Sequence, residues 1–246
     1  PYLPRNRMKK QIVGSIHSIQ SLGALDGEGV RFVVFTQGCN LRCGCCHNPD
    51  TWDMNGGQQI SAEEIVRKAV RYKEYFGEKG GITVSGGEPL IQPEFVNEIF
   101  SLCHERGINT CLDTSGSILN KRVLDLLDNT DRVLLDIKYT TNEKYKKFVG
   151  CSLDSVLEFL SVLQEKSIPV TLRQVIIPTL NDDAESISEL KAIVRKFSCI
   201  DKTELLPFKK ICSVKYEQMG IDFRFKDIPS PDPMAVQRLQ EILNAE

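Results

Sequence analysis

Four cysteines lie within eight residues of this 246-residue chain, and three of them have the spacing of a metal-binding loop. Cys39, Cys43 and Cys46 form a Cys-x3-Cys-x2-Cys array. Three thiolates on one loop can hold three irons of a cubane cluster, which leaves the fourth iron free to bind a substrate. The spacing therefore predicts an iron–sulfur cluster with one open coordination position.

Two other interpretations of these cysteines compete with the cluster. One is a zinc knuckle that adds Cys45 or His47, because structural zinc sites close with four ligands. Cys45 and Cys46 are adjacent, so we expect their side chains to point apart in an extended loop, and one ion bound by both would strain the backbone. The other is a set of inert thiols or disulfides, although an odd count of nine cysteines is not typical of a secreted disulfide framework.

Composition limits the classes of partner. A hydrophobic content of 41% supplies enough apolar surface for a sizeable core. The formal net charge of -2 gives no bulk attraction to nucleic acid or to an anionic membrane, and the sequence shows no apolar stretch of transmembrane length. We therefore expect neither a nucleic-acid nor a membrane partner, and a reducing cytoplasm in which thiolates stay free to bind metal.

The elements that must position the cysteines alternate regularly from about residue 30 onward. Short β-branched segments predict strands at 30–35, 82–84, 110–112, 132–137, 170–177 and 203–206. Amphipathic segments predict one helix that begins at Ser61, where Glu64 completes a capping box. Further helices are predicted at 93–105, 119–127, 153–165, 183–197 and 234–243. This alternation predicts six β/α units around a parallel sheet.

Six units rather than eight predict an α/β fold with an incomplete (β/α)6 parallel barrel, whose open side could admit a protein segment. A doubly wound open sheet would also gather its strand ends into a crevice and stays an alternative. We expect residues 12–246 to form a single domain and residues 1–11 to be a loosely ordered N-terminal extension.

Polar motifs follow several of the predicted strands, so their side chains should meet at one mouth. They are Ser85-Gly86-Gly87-Glu88-Pro89, Asp113-Thr114-Ser115-Gly116 and Asp136-Ile137-Lys138. Glycines permit a close backbone approach to a ligand, and strand alternation places Asp136 and Lys138 on one face. Each motif has a structural alternative: tight turns for the first two and an ordinary salt bridge for the third.

Taken in order, these motifs resemble the radical S-adenosylmethionine superfamily. The array Cys39-x3-Cys43-x2-Cys46 followed by Gly86-Gly87-Glu88 carries that resemblance. Further segments are similar to the family of pyruvate formate-lyase activating enzymes, including Asp26-Gly27-Glu28-Gly29, Cys46-His47-Asn48-Pro49-Asp50-Thr51-Trp52 and Glu204-Leu205-Leu206-Pro207. The likeness runs from about residue 12 to the end of the chain. The absence of a cysteine-rich insertion between Trp52 and Ser61 favours this family over other activating enzymes.

The resemblance implies a set of cofactors and residue roles. Cys39, Cys43 and Cys46 would hold a 4Fe-4S cluster with one open iron and act in catalysis through it. S-adenosyl-L-methionine would be bound by Cys45, Cys46, His47, Gly86, Gly87, Glu88, Asp113, Thr114, Asp136, Ile137, Lys138, Val175 and Lys209. Arg173 would contact the substrate. Asp113 and Thr114 would also hold a monovalent cation, for which a carboxylate and a hydroxyl are suitable ligands.

The implied activity is reductive cleavage of S-adenosylmethionine and hydrogen abstraction from a glycine of a glycyl radical enzyme, with pyruvate formate-lyase as the protein substrate and flavodoxin or ferredoxin as the electron donor. The chain departs from the family pattern at three positions: Cys45 replaces an aromatic residue, Lys209 a histidine and Glu28 a proline. Three alternatives stay open: an activase of another glycyl radical enzyme, a small-molecule radical enzyme, and a zinc- or cluster-stabilised binding protein without radical chemistry.

Overall fold

The computed structural model describes residues 11–245, and within this range eight strands form one sheet. The strands are β1 (Val13–Gly23), β2 (Arg31–Thr36), β3 (Gln58–Ser61), β4 (Gly81–Gly86), β5 (Asn109–Thr114), β6 (Arg132–Asp136), β7 (Val170–Ile176) and β8 (Ile200–Pro207). Their order across the sheet is β3-β1-β2-β4-β5-β6-β7-β8. From β2 to β8 every neighbouring pair is parallel, whereas β1 pairs antiparallel with both β2 and β3.

Helices connect the parallel strands. They are α1 (Ala62–Val70), α2 (Lys73–Phe76), α3 (Pro93–His104), α4 (Lys121–Leu127), α5 (Asn142–Phe148), α6 (Leu153–Glu165), α7 (Ala184–Lys196), α8 (Ser213–Met219) and α9 (Pro233–Asn244). The six β/α units are confirmed. Each parallel strand lies beside the one before it in the chain, so the order never reverses at the switch point that a doubly wound sheet requires. Within the described residues no ladder joins β8 to β3, so the barrel is incomplete.

Five elements were not predicted: β1, β3, α2, α5 and α8. β1 pairs antiparallel with β2 and β3 and mixes buried with exposed residues, so it lacks the continuous apolar run of the central strands. α5 has the sequence Asn-Glu-Lys-Tyr-Lys-Lys-Phe and buries one residue, Tyr145, which leaves little hydrophobic periodicity to detect. Tertiary contacts, rather than local sequence pattern, explain these elements.

Local capping fixes where several helices begin. The Ser61 hydroxyl accepts a hydrogen bond from the Glu64 N–H (3.2 Å), which satisfies one of the free donors at the start of α1. Ile65 and Ala69 of α1 are then fully buried against the sheet. The bounds of the predicted helices differ from those observed by at most two residues, because caps and apolar faces coincide there.

The predicted N-terminal extension falls outside the described residues except for Gln11, whose side-chain amide donates to the Ser61 hydroxyl (3.1 Å). None of the helices between residues 11 and 245 has both the length and the apolar character needed to cross a membrane.

Candidate active site

The carboxyl ends of the parallel strands surround a cavity of about 310 Å³. Fourteen of the sequence-predicted site residues line it: Cys39, Cys43, Cys45, Cys46, His47, Gly86, Gly87, Glu88, Asp113, Thr114, Asp136, Lys138, Arg173 and Val175. This is the end of a parallel barrel at which active sites form. The fold therefore brings the cysteine array and the three polar motifs to one place.

The cysteine loop, residues 37–48, follows β2 and is held in a defined shape. Within it the Cys46 N–H donates to the Cys43 carbonyl (3.1 Å), which closes a turn between the second and third cysteines of the array. The Gly44 N–H donates outward to the Phe148 carbonyl at the end of α5 (2.9 Å). These contacts turn the thiols of the array toward a common cavity.

Burial controls the protonation of these thiols. It raises the pKa of Cys39 and of Cys45 to about 11, and it also raises the pKa of Cys43 and Cys46. The Lys138 ammonium opposes this effect at each thiol. The thiols are therefore protonated at neutral pH until iron binds, and iron binding must release protons.

The zinc knuckle gains no support from this geometry. Within residues 11–245 no group of three His, Cys, Asp or Glu side chains has the arrangement of a single-ion site. A zinc ion needs its ligand atoms at about 2.0–2.3 Å. Three thiols that border one cavity can each bind a separate iron of a cluster.

The turn after β4 packs directly against the cysteine loop. The Glu88 N–H donates to the Gly38 carbonyl (2.8 Å), and a Cβ at Gly87 would lie 2.1 Å from that same oxygen. Glycine is therefore required at residue 87 for steric reasons. The close backbone approach seen here joins the turn to the start of the cysteine loop, and the predicted approach to a ligand stays a prediction.

The Glu88 carboxylate is buried and accepts hydrogen bonds from the protein itself. Its donors are the Thr114 hydroxyl (2.5 Å), the Ser115 hydroxyl (2.5 Å), the Ser115 N–H (3.0 Å) and the Leu90 N–H (3.1 Å). Burial raises the pKa of Glu88, while these hydrogen bonds act in the opposite direction. Glu88 thus joins the ends of β4 and β5 beneath the cavity.

Four charged side chains form a balanced network on the cavity wall. Arg173 donates to Asp113 (2.5 Å) and to Asp136 (3.0 Å), and Lys138 donates to Asp136 (2.7 Å). Burial alone would raise the pKa of Asp136, but the neighbouring Arg173 and Lys138 outweigh it and lower that pKa. The predicted Asp136–Lys138 pair is therefore both a salt bridge and part of the cavity wall.

Two predicted cofactor contacts lie away from the cavity. The Ile137 side chain is fully buried in the hydrophobic core, because strand alternation turns it opposite to Asp136 and Lys138. Lys209 does not line the cavity, and its carbonyl accepts a hydrogen bond from the His47 ring (2.9 Å). Sequence reasoning placed each residue near the mouth but could not specify which way its side chain points.

At the predicted monovalent cation site, the side-chain oxygens of Asp113 and Thr114 already form hydrogen bonds within the protein. The two carboxylate oxygens of Asp113 accept from Arg173 (2.5 Å) and from the Ser85 hydroxyl (2.7 Å). The Thr114 hydroxyl donates to Glu88. Cation binding by Asp113 and Thr114 stays a prediction.

Sequence reasoning missed several residues that line the cavity, namely Asp26, Phe35, Leu41, Asn48, Trp52, Ser85, Ser115, Leu206 and Pro207. Asp26 is the least expected of them, because its loop joins β1 to β2 at the amino ends of the parallel strands. The Thr83 hydroxyl donates to the Asp26 carbonyl (2.7 Å), so this loop reaches into the barrel from the end opposite the mouth. Burial, together with the Asp113 charge, raises the pKa of Asp26. The Asp26-Gly27 motif could have drawn attention to this loop, but strand β1 was not predicted, so the position of the loop could not be inferred.

Comparison with known proteins decides the family. Residues 33–190 match the Radical SAM superfamily. The chain is 43% identical to the pyruvate formate-lyase-activating enzyme of Clostridium pasteurianum, over 94% of this chain and 98% of that protein. The chain belongs to the radical SAM superfamily.

Other relatives agree with this assignment. The chain is 37% identical to the pyruvate formate-lyase 1-activating enzyme of Escherichia coli K12, over 94% of this chain and 96% of that protein. Among solved structures, Streptococcus suis SuiB bound to precursor peptide SuiA has a TM-score of 0.66 at 18% identity, over 86% of this chain and 44% of SuiB. That structure shares the fold, which confirms the predicted fold class.

The radical SAM family implies a 4Fe-4S cluster and S-adenosylmethionine, and the residues present fit both. Three half-buried thiols border a cavity that also carries glycine backbone, four carboxylates, the Arg173 guanidinium and the Lys138 ammonium group. Thiolates are the protein ligands of iron–sulfur clusters, and the glycine backbone and charged side chains of the same cavity can contact the polar groups of S-adenosylmethionine.

Proposed function

We propose that this chain activates a glycyl radical enzyme, with pyruvate formate-lyase as its protein substrate. One observation carries the proposal: the three array thiols border the same cavity as Gly86, Gly87 and the Asp136–Lys138 pair. Pyruvate formate-lyase activation is also the activity named for relatives that match this chain over nearly its full length.

The roles of this chain's residues follow from their chemistry. Cys39, Cys43 and Cys46 would hold the cluster as thiolates after losing their protons to solvent. Gly86 and Gly87 would present backbone carbonyls to the methionine ammonium, because no Cβ stands in the way. The Lys138 ammonium and the balancing carboxylates would orient the polar parts of the nucleotide.

When bound, the cluster would supply one electron for the reductive cleavage of S-adenosylmethionine, the chemistry by which a hydrogen atom would be removed from the partner's glycine. This chain's residues must keep water away from that reaction. Phe35, Leu41, Trp52 and Val175 give the cavity an apolar wall. The open side of the barrel would admit a segment of the partner, and that segment would close the mouth.

We propose flavodoxin or ferredoxin as the source of the electron and the cytoplasm as the compartment. Free cysteines suit that reducing environment. All nine cysteines lie within the described residues, and none of them forms a disulfide there. The formal net charge of -2 fits a protein without a nucleic-acid or membrane partner.

The test is anaerobic incubation of the reconstituted protein with pyruvate formate-lyase, S-adenosylmethionine and a chemical reductant, followed by electron paramagnetic resonance. We expect a doublet from a glycyl radical on the partner. A matched sample with the partner's radical-bearing glycine replaced by alanine should show no doublet.

Absence of the doublet with pyruvate formate-lyase, in a sample that cleaves S-adenosylmethionine and activates another glycyl radical enzyme, would assign a different partner. Absence of cleavage itself in a fully iron-loaded sample would overturn the proposed function.

A further inference from the structure

Three exposed cations surround the outer side of the cysteine loop. Arg42 belongs to the loop, Lys147 to α5, and Arg224 to the segment that follows α8. We call these three residues the cationic patch. None of the three lines the cavity.

The cationic patch is held in place without carboxylates. Arg42 lies over the Trp52 ring (4.9 Å), and both Lys147 (5.1 Å) and Arg224 (4.8 Å) lie over the Phe148 ring. The guanidinium of Arg224 also donates to the Lys147 carbonyl (2.7 Å). Aromatic rings and carbonyls thus fix these side chains while leaving their charges uncompensated.

Some cations on the neighbouring segments are paired with carboxylates, whereas within residues 11–245 Lys146 of α5, Lys209 and Lys210 are not. Lys226 pairs with Asp222 (2.8 Å) and Lys215 with Asp50 (2.9 Å). Within residues 11–245, by contrast, no carboxylate lies within 4.0 Å of the charged groups of Arg42, Lys147 or Arg224. Uncompensated charges of one sign favour an oppositely charged partner surface.

Hydrogen bonds connect the patch to the cluster ligands. The Arg42 N–H donates to the Val149 carbonyl (3.0 Å), and the Gly44 N–H donates to the Phe148 carbonyl (2.9 Å). Arg42 and Gly44 are the two neighbours of Cys43 in the chain. The Phe148 carbonyl is therefore hydrogen-bonded to the residue that directly follows Cys43, a proposed cluster ligand.

The reaction under "Proposed function" needs access from two directions, and this inference rests on that function. The mouth must accept S-adenosylmethionine and a segment of the partner protein. An electron carrier that approached through the mouth would compete with both. The outer side of the cysteine loop offers a separate route to the same thiolates.

We propose that the cationic patch is the docking surface for an acidic one-electron carrier protein. The carrier gives up one electron and becomes its one-electron-oxidised form, and the cluster held by Cys39, Cys43 and Cys46 takes up that electron. No covalent bond or proton is exchanged in this step. The patch sets the affinity and the association rate of the carrier.

The test compares the Lys147→Glu/Arg224→Glu double variant with the wild-type holoprotein. Arg42 is left intact because it adjoins a proposed cluster ligand. With reduced flavodoxin as the acidic carrier at low ionic strength, we expect S-adenosylmethionine cleavage to slow about tenfold, the lower end of electrostatic steering effects. With dithionite as the reductant, we expect a rate within about twofold of the wild type, because small reductants need no docking surface.

Binding provides a readout that does not depend on turnover. Titration calorimetry with flavodoxin should give about tenfold weaker binding for the double variant and a weaker dependence on salt, since fewer charge pairs form. The matched control is Arg195→Glu/Lys196→Glu at the far end of α7, where Lys196 also lies over an aromatic ring, Phe197 (5.5 Å). It changes the net charge equally and should behave like the wild type.

Three results would overturn the proposal: unchanged flavodoxin affinity in the patch variant, equal losses in patch and control variants, or an equal loss of rate with dithionite. Failure of the wild type itself with dithionite would instead contradict the proposed function. The two failures are therefore distinguishable.

Discussion

The four cysteines of the loop have similar burial but different positions in the array. Cys39, Cys43 and Cys46 have the cluster spacing, whereas Cys45 lies between the second and third of them. Burial raises the pKa of each thiol, so protonation alone does not distinguish a ligand from a bystander. Spacing and the turn between Cys43 and Cys46 make the distinction.

Single serine substitutions test this assignment. We expect Cys43→Ser to lose stable cluster incorporation, because it removes one of three thiolates. Cys45→Ser should retain about four irons per chain, since no cluster ligand is lost. Iron and sulfide analysis with visible absorption after anaerobic reconstitution measures both. Equal loss in the two variants would make Cys45 a ligand and contradict the three-thiolate site.

The Arg173 guanidinium is a second residue on which the site depends. Arg173→Met would leave the half-buried Asp113 without a cation and Asp136 with Lys138 alone, at a cost of about 3 kcal/mol in the free energy of unfolding. Urea unfolding of the cofactor-free protein measures that loss.

The matched control for Arg173 is Arg132, which forms a bidentate pair with the more exposed Asp201 (2.8 and 2.6 Å). Arg132→Met should cost about 1 kcal/mol or less, because solvent screens such pairs. Similar losses in the two variants would show that burial of the Arg173 network contributes nothing to stability.

Among the structural elements, the turn after β4 controls the cysteine loop most directly. Gly87→Ala would place a methyl group against the Gly38 carbonyl, where 2.1 Å separates the two positions. The start of the cysteine loop would have to move, so we expect weaker cluster retention and at least tenfold weaker S-adenosylmethionine binding, since about 1.4 kcal/mol of misfit suffices for that factor.

The control for Gly87 is Gly220→Asn. Gly220 has a left-handed backbone (φ +65°) and no atoms within 4 Å of the added Cβ, and asparagine tolerates that conformation. It should retain wild-type cluster content and cofactor affinity. Normal cofactor binding by Gly87→Ala would show that the turn does not position the loop.

Helix α7 provides a prediction with a defined pH dependence. The Asp183 carboxylate caps it by accepting from the Ser186 N–H (2.8 Å), and this hydrogen bond lowers the pKa of Asp183. Asp183→Ala should cost about 1 kcal/mol at pH 7. A carboxyl group whose pKa is lowered by folding stabilises above its unfolded pKa of about 3.9 and loses that contribution as the pH falls through its folded value.

The difference between wild type and Asp183→Ala in urea unfolding should therefore shrink as the pH falls below about 4. Asp183→Asn keeps a capping acceptor that does not titrate in this range, so its stability relative to Asp183→Ala should change little with pH. A constant difference between wild type and Asp183→Ala would exclude the carboxylate as the source of the cap.

For the molecule as a whole, the sequence predicted the six β/α units because each unit carries its own signal. Apolar strand runs, the Ser61 cap and amphipathic helices all act locally. The motifs at the strand ends then had to meet, since parallel strands point the same way. For this reason fourteen proposed site residues line one cavity.

The features that sequence could not predict depend on contacts between distant parts of the chain. The antiparallel strand β1 and the Asp26 loop take their positions from β2 and from Thr83. The side-chain directions of Ile137 and Lys209 depend on where β6 and β8 end. Likewise, the hydrogen bonds from Thr114 and Ser115 to Glu88 connect the ends of β4 and β5, which are distant in the sequence, so no local pattern predicts them.

The central claim is that three protein thiolates hold a cluster whose remaining iron binds S-adenosylmethionine productively. Its most direct test is product analysis after anaerobic incubation of protein containing four irons per chain with S-adenosylmethionine and dithionite. The account predicts 5′-deoxyadenosine and methionine in equal amounts, and neither product from Cys43→Ser. A fully iron-loaded wild-type protein that binds S-adenosylmethionine but forms no 5′-deoxyadenosine would contradict it.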